Sequence, residues 1–98
     1  MEETVMINVT ARLRLYQGKN KRQTPFQSGY RPLFELNKGT KTSGMITLLD
    51  REELLPGDSA IVSIKFLLND CPIGLSSYFY EGKESLGKIT IIDVMPIQ

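Results

Sequence analysis

Histidine and tryptophan are absent from this chain, and cysteine occurs once, at Cys71. Without histidine the usual general base near neutral pH is missing, and Ser/His or Cys/His nucleophile pairs cannot be assembled. One cysteine and no histidine also exclude finger-type zinc sites. A lone cysteine forms no internal disulfide and suits a reducing compartment. No apolar run approaches the roughly 20 residues of a membrane helix. Glu2 and Glu3 stand where a secretory leader would carry basic residues, so none is expected. The expected location is cytoplasmic, away from membranes.

Phosphate-cradling glycine patterns are missing as well. Gly39-Thr40-Lys41-Thr42 has part of the composition of a phosphate loop. It lacks the leading glycine, the strand–helix context and a partner acid. Asp50, Glu52 and Glu53 cluster around Arg51, a composition that reads as a solvated charge cluster in a loop. The expectation is a protein that is not an enzyme, with no catalytic residue, no cofactor, no metal and no bound nucleotide.

What is present is the composition of one small folded domain spanning residues 1–98. The 98 residues are 41% hydrophobic and 23% charged, with a net charge of +1. That balance is ordinary for a soluble globular chain and provides no global attraction to nucleic acid. A chain this short buries only about 60–65% of its unfolded surface, so its stability is expected to be modest.

Alternation with period two dominates. Ile7, Val9, Ala11, Leu13 and Leu15 alternate with Asn8, Thr10, Arg12, Arg14 and Tyr16, which predicts a strand with one buried and one wet face. Ala60, Val62, Ile64, Phe66 and Leu68 form the inward face of a second strand, with Ser63 and Lys65 outward. Ile61 and Leu67 interrupt that polar face and suggest partial cover. Shorter strands are predicted at Tyr30–Asn37, Gly44–Leu49, Ser77–Glu81 and Gly87–Val94. Turn residues separate them at Gly18 to Asn20, Lys38-Gly39, Pro56-Gly57-Asp58, Asp70 to Gly74 and Gly82-Lys83. About six short strands at this spacing read as a barrel or sandwich. The predicted interior is Val9, Ala11, Leu13, Leu15, Phe34, Leu36, Ile46, Leu48, Val62, Ile64, Phe66, Phe79, Ile89 and Ile91.

Three positions carry further local expectations. Pro32 cannot donate to a central ladder and marks the start or edge of a strand. Pro56-Gly57 suits a tight turn with positive φ at the glycine, and Asp58 can cap it through its carboxylate. Lys19, Lys21 and Arg22 crowd one loop, with Arg12 and Arg14 on the outward face of the strand before it and Lys38 and Lys41 in a second loop. Such residues can neutralise phosphates or simply keep a surface soluble. Tyr16, Phe26 and Tyr30 are interleaved with them.

The segment Thr24-Pro25-Phe26-Gln27-Ser28-Gly29-Tyr30-Arg31-Pro32-Leu33-Phe34 resembles the opening of the C-terminal β-barrel domain of bacterial elongation factor Tu. Ser43-Gly44-Met45-Ile46, Leu55-Pro56-Gly57-Asp58, Pro72-Ile73, Glu81-Gly82 and Leu86-Gly87 follow in the same order and nearly the same spacing. The resemblance covers roughly residues 9 to 95, with no room left for a GTPase. It implies an all-β, six-stranded antiparallel Greek-key barrel standing alone.

In that family the barrel contacts the T-stem backbone of aminoacyl-tRNA, packs against the GTPase domain and meets the nucleotide-exchange factor. Carried over by position, the resemblance implies a nucleic-acid face at Arg22, Gln23, Ser43 and Gly82. Gln23 stands where the family has histidine, Leu33 where it has glutamine, and Ser43 where it has threonine. Glu84 replaces an arginine and so places a phosphate-repelling carboxylate near that face. The resemblance thus implies a non-catalytic, translation-associated module with tRNA as partner. A protein-interaction module imitating the elongation factor, docking on a translational GTPase or exchange factor, is the alternative. A diverged domain with an unrelated partner is a third reading.

Overall fold

The computed structural model describes residues 5–18, 23–68 and 71–96. All eight elements are strands: β1 (Val5–Leu15), β2 (Phe26–Gln27), β3 (Leu33–Asn37), β4 (Thr40–Leu48), β5 (Glu53–Leu54), β6 (Ser59–Leu68), β7 (Ser76–Glu81) and β8 (Glu84–Pro96). Six of them close into a barrel in the order β1-β6-β4-β3-β7-β8, and β2 pairs with β5 in a separate two-stranded sheet. Every pairing is antiparallel. β7 returns to lie beside β3, so β7-β3-β4-β6 has the spatial order of a Greek key. Closure leaves no barrel strand with an unpaired edge, which protects a β-protein of this size from edge-to-edge aggregation.

The alternation carries the interior as the sequence implies. Ile7, Val9, Ala11, Leu13 and Leu15 are all buried, and every other position of the predicted core is buried with them. Ala60 of the second predicted inward face is buried too. Phe34 meets Phe66 edge-on, with centroids 5.1 Å apart, and stacks on Phe79 at 5.8 Å. Such aromatic pairs add about 0.5–1.5 kcal/mol beyond area burial. No polar or charged side chain is buried among the described residues, so the core has no polar interaction to satisfy.

Several boundaries differ from expectation, each for a local reason. β4 begins at Thr40, not Gly44, so Lys41 lies on a strand and not in a loop. β3 begins after Pro32, yet the carbonyls of Tyr30 and Pro32 still accept from Ile46 and Gly44 at 2.9 and 3.2 Å. The segment therefore follows β4 while Pro32 avoids a donor position. β8 extends from Glu84 to Pro96, longer than the predicted strand at both ends. β2 and β5 lie outside the strands that alternation predicts; their pair Phe26↔Leu54 puts two apolar side chains into the core between the end of β4 and the start of β6. Leu67 is 62% exposed and has no cover, whereas Ile61 is half-buried. The turn at Gly57 follows expectation: its φ is +91°, and the Leu55 amide donates to Asp58 Oδ2 at 3.2 Å. Arg51 lies 2.8 Å from Asp50 and 3.8 Å from Asp58 on the surface, as a solvated charge cluster would.

Candidate nucleic-acid interface

Three of the four face residues implied by the elongation-factor resemblance fall within the described residues, and they lie on separate segments. Arg22, with Lys19 and Lys21, lies outside the described residues. Gln23 is exposed and donates from Nε2 to the Gly18 carbonyl at 2.5 Å. Gly82 forms the β7–β8 turn at φ +61°, with open space where a Cβ would stand. Ser43 is exposed on β4, in an outer-wall groove of about 560 Å³ shared with Met6, Arg31, Met45, Lys65 and Leu67. Arg31 Nη2 approaches Met45 Sδ at 3.7 Å there. Gln23 and Gly82 do not line that groove.

A different stretch of outer wall gathers cations more tightly. Arg12 and Arg14 point outward from β1 because Ala11, Leu13 and Leu15 point in. The β1–β8 register sets Arg14 directly opposite Lys88 and Arg12 opposite Thr90. On the other side of β1, Arg14 is opposite Ser59 of β6. These five side chains line a shallow depression of about 240 Å³. Cross-strand partners have Cα atoms about 5 Å apart, and Arg12 and Arg14 are about 7 Å apart along the strand.

Like charges set directly opposite each other destabilise a sheet. The Arg14–Lys88 pair is such a case, and among the described residues Arg12, Arg14 and Lys88 have no ion-pair or side-chain hydrogen-bond partner. Arg51, by contrast, is paired with Asp50. The wall thus holds three unneutralised cations beside two hydroxyl side chains, an arrangement complementary to closely spaced phosphates.

Aromatic residues continue the same wall onto β7. Tyr78 is opposite Lys88, and Ser76 is opposite Thr90, their hydroxyls 3.1 Å apart. One row across four strands therefore reads Ser59, Arg14, Lys88, Tyr78. Tyr80 lies two residues on, its phenol pKa raised by the hydrogen bond to Glu35, by desolvation and by the nearby Glu35, Tyr78 and Tyr16. Lys41 Nζ sits 3.9 Å from the centroid of the Tyr80 ring.

Arg12 and Arg14 are legible in the sequence as outward basic residues. The place of Lys88 and Tyr78 beside them is not, because only barrel closure sets Lys88 opposite Arg14, more than seventy positions away, and brings Tyr78, its partner in the β7–β8 hairpin, along with it. Among the described residues no group of three His, Cys, Asp or Glu side chains is arranged to hold a metal ion, and no helix is long and apolar enough to cross a membrane. Comparison with models of known protein families and with curated proteins finds no match for this chain.

Proposed function

We propose that this chain is a non-catalytic RNA-binding module that engages the phosphate backbone through Arg12, Arg14 and Lys88. The carrying observation is the Arg14–Lys88 pair: like charges set directly opposite each other in the β1–β8 register, an arrangement that disfavours the sheet and that an anionic ligand would relieve. The resemblance to the C-terminal barrel of elongation factor Tu supports a translation-associated, cytoplasmic setting with tRNA as first candidate. A net charge of +1 means that affinity must come from this local patch.

A second reading has its own observation. The groove holding Ser43 carries exposed Met6 and Leu67 beside Met45, an apolar floor flanked by Arg31 and Lys65. It favours a protein partner, in keeping with a module that imitates the elongation factor and docks on a translational GTPase or exchange factor.

Fluorescence anisotropy with labelled tRNA across a salt series tests the first reading. The expected result is binding at about 50 mM salt that weakens linearly on a log–log plot. Replacing Arg12, Arg14 and Lys88 together by alanine should lower that slope by roughly three counterions. Absence of tRNA binding at low salt, or a slope indifferent to the triple substitution, removes this function from the wall.

A further inference from the structure

Building on the RNA reading, we infer that the wall engages a single-stranded stretch of its RNA, with an unpaired base stacked on Tyr78 while the backbone follows Lys88, Arg14 and Arg12. The row Arg14, Lys88, Tyr78 crosses three neighbouring strands at about 5 Å per step. Tyr78 therefore stands one strand beyond the depression formed by Arg12, Arg14 and Lys88, on the same wall, and its side chain lines the neighbouring depression with Glu35, Lys38 and Ser76. Tyr78 is 44% exposed.

The other tyrosines of this wall are already engaged. Tyr80 spends its hydroxyl on Glu35 at 2.8 Å and has Lys41 close to its ring. Tyr16 is only partly exposed and has interactions of its own. Tyr78 is thus the ring available to a ligand beside Lys88.

Duplex and single strand would use this wall differently. A duplex presents phosphates outward and keeps its base faces stacked inside, so a tyrosine next to the cations gains little from it. A single strand offers unstacked base faces at short distances from its phosphates, and aromatic side chains beside a basic track are how such strands are held. Ser59 and Thr90 add hydroxyls at the phosphate end of the row. The convex outer wall of a closed barrel also suits a flexible strand that can bend over it.

The test uses the whole chain with two fluorescein-labelled probes, an oligouridylate of about ten nucleotides and an RNA duplex of equal length, read by anisotropy at low salt. The expected result is tighter binding of the oligouridylate. Tyr78→Ala should weaken it about tenfold while leaving the duplex unchanged, and Tyr78→Phe, which keeps the ring, should bind like the parent. Arg14→Ala should weaken both probes. Unchanged melting temperatures of the Tyr78 variants would show that the fold is intact. Equal or tighter duplex binding, or a Tyr78→Ala loss that is absent or the same on both probes, overturns the single-strand inference and leaves RNA binding standing. Failure of both probes to bind overturns both.

Discussion

Tyr80 donates its phenolic hydroxyl to Glu35 Oε1 at 2.8 Å, across the seam where β3 and β7 share only the pairs Leu33↔Tyr80 and Phe34↔Phe79. That ladder is the shortest in the barrel, and side chains reinforce it. Ser77 Oγ donates to the Glu35 carbonyl, and the Gly39 amide donates to Glu35 Oε2 at 3.2 Å. The Glu35 carboxyl is consequently held below its ordinary range, first by the Tyr80 hydroxyl, then by the Gly39 amide, with Lys41 a smaller contributor.

The pH dependence of stability follows from these two groups. A carboxylate with a depressed folded-state pKa contributes stability that is present above about pH 4.5 and is lost as pH falls through the folded value. The Tyr80 pKa is raised instead, so its contribution is present below about pH 10 and is lost as pH rises through the folded value. Asp50, lowered by its hydrogen bond to Arg51, adds to the acid limb. Tyr80→Phe should therefore lower the melting temperature near neutrality, flatten the alkaline limb, and reduce the acid limb without abolishing it. Thermal melts between pH 3 and pH 11 check this; parallel curves for parent and variant would show that the seam does not depend on the contact.

Gly44 and Gly87 have packing reasons. A Cβ on Gly87 would lie 2.0 Å from the backbone oxygen of Arg14 and 2.5 Å from Phe79 Cε1. A Cβ on Gly44 would meet Phe66 Cε1 at 2.4 Å and Ile64 Cγ2 at 2.9 Å, side chains only. Both alanine substitutions should overpack the barrel at a cost of about 1–3 kcal/mol or more. Gly87→Ala should be the worse, because a backbone oxygen cannot rotate aside. Chemical denaturation of both variants checks the order. A Gly87→Ala variant as stable as the parent would contradict the β1–β8 register.

The inward face of β6 sets the core. Phe66 is 1% exposed and touches Phe34 edge-on. Phe66→Ala should cost about 3–5 kcal/mol through lost burial and a cavity, and Ile64→Ala about 2–5 kcal/mol. For a domain of this size, with roughly 5–10 kcal/mol in total, either loss should cut the melting temperature heavily. Replacing Lys65, outward on the same strand, should leave it nearly unchanged.

The contrast between core and candidate site shows which physical information is local in the chain. Whether Val9 or Leu13 points inward is decided by its immediate neighbours, since a strand with one wet face alternates with period two. Six strands and their turns are legible for that reason. Residue pairs such as Phe26↔Leu54 are not, because two-residue strands are too short to show alternation. The pairing of Arg14 with Lys88 depends on how the barrel closes, and nothing near either residue encodes it. The basic residues at 19, 21 and 22 are neighbours in sequence, whereas Lys88 is a neighbour of Arg12 and Arg14 only in the sheet.

No phosphate loop, base-recognition motif or magnesium ligand set accompanies the elongation-factor resemblance. The isolated chain should therefore neither bind nor hydrolyse GTP. Calorimetry on the purified protein, with and without magnesium, is expected to show no saturable heat. A stoichiometric, magnesium-dependent site would contradict the reading of this chain as a barrel without GTPase function.

Glu84 offers a charge test that separates an RNA partner from a protein one. It is exposed, opens β8, and faces Glu81 across the hairpin, so two carboxylates oppose each other there. Glu81 also accepts from the Tyr30 hydroxyl at 2.6 Å. Glu84 lies four residues from Lys88, at most about 13 Å along the strand, with the irregularity at Leu86 between them. At that distance, reversing its charge changes the attraction for one bound phosphate by about threefold in water at low salt. The Debye length is about 10 Å at 0.1 M salt, so most of that gain should vanish near physiological ionic strength. If RNA is the ligand, Glu84→Arg should strengthen binding about threefold at low salt, and the parent and variant curves should converge as salt is raised. If a protein docks here with a basic rim, the same substitution should weaken binding, mostly through slower association. The sign of the change, read by anisotropy for RNA and by stopped-flow association for a protein, decides between the two.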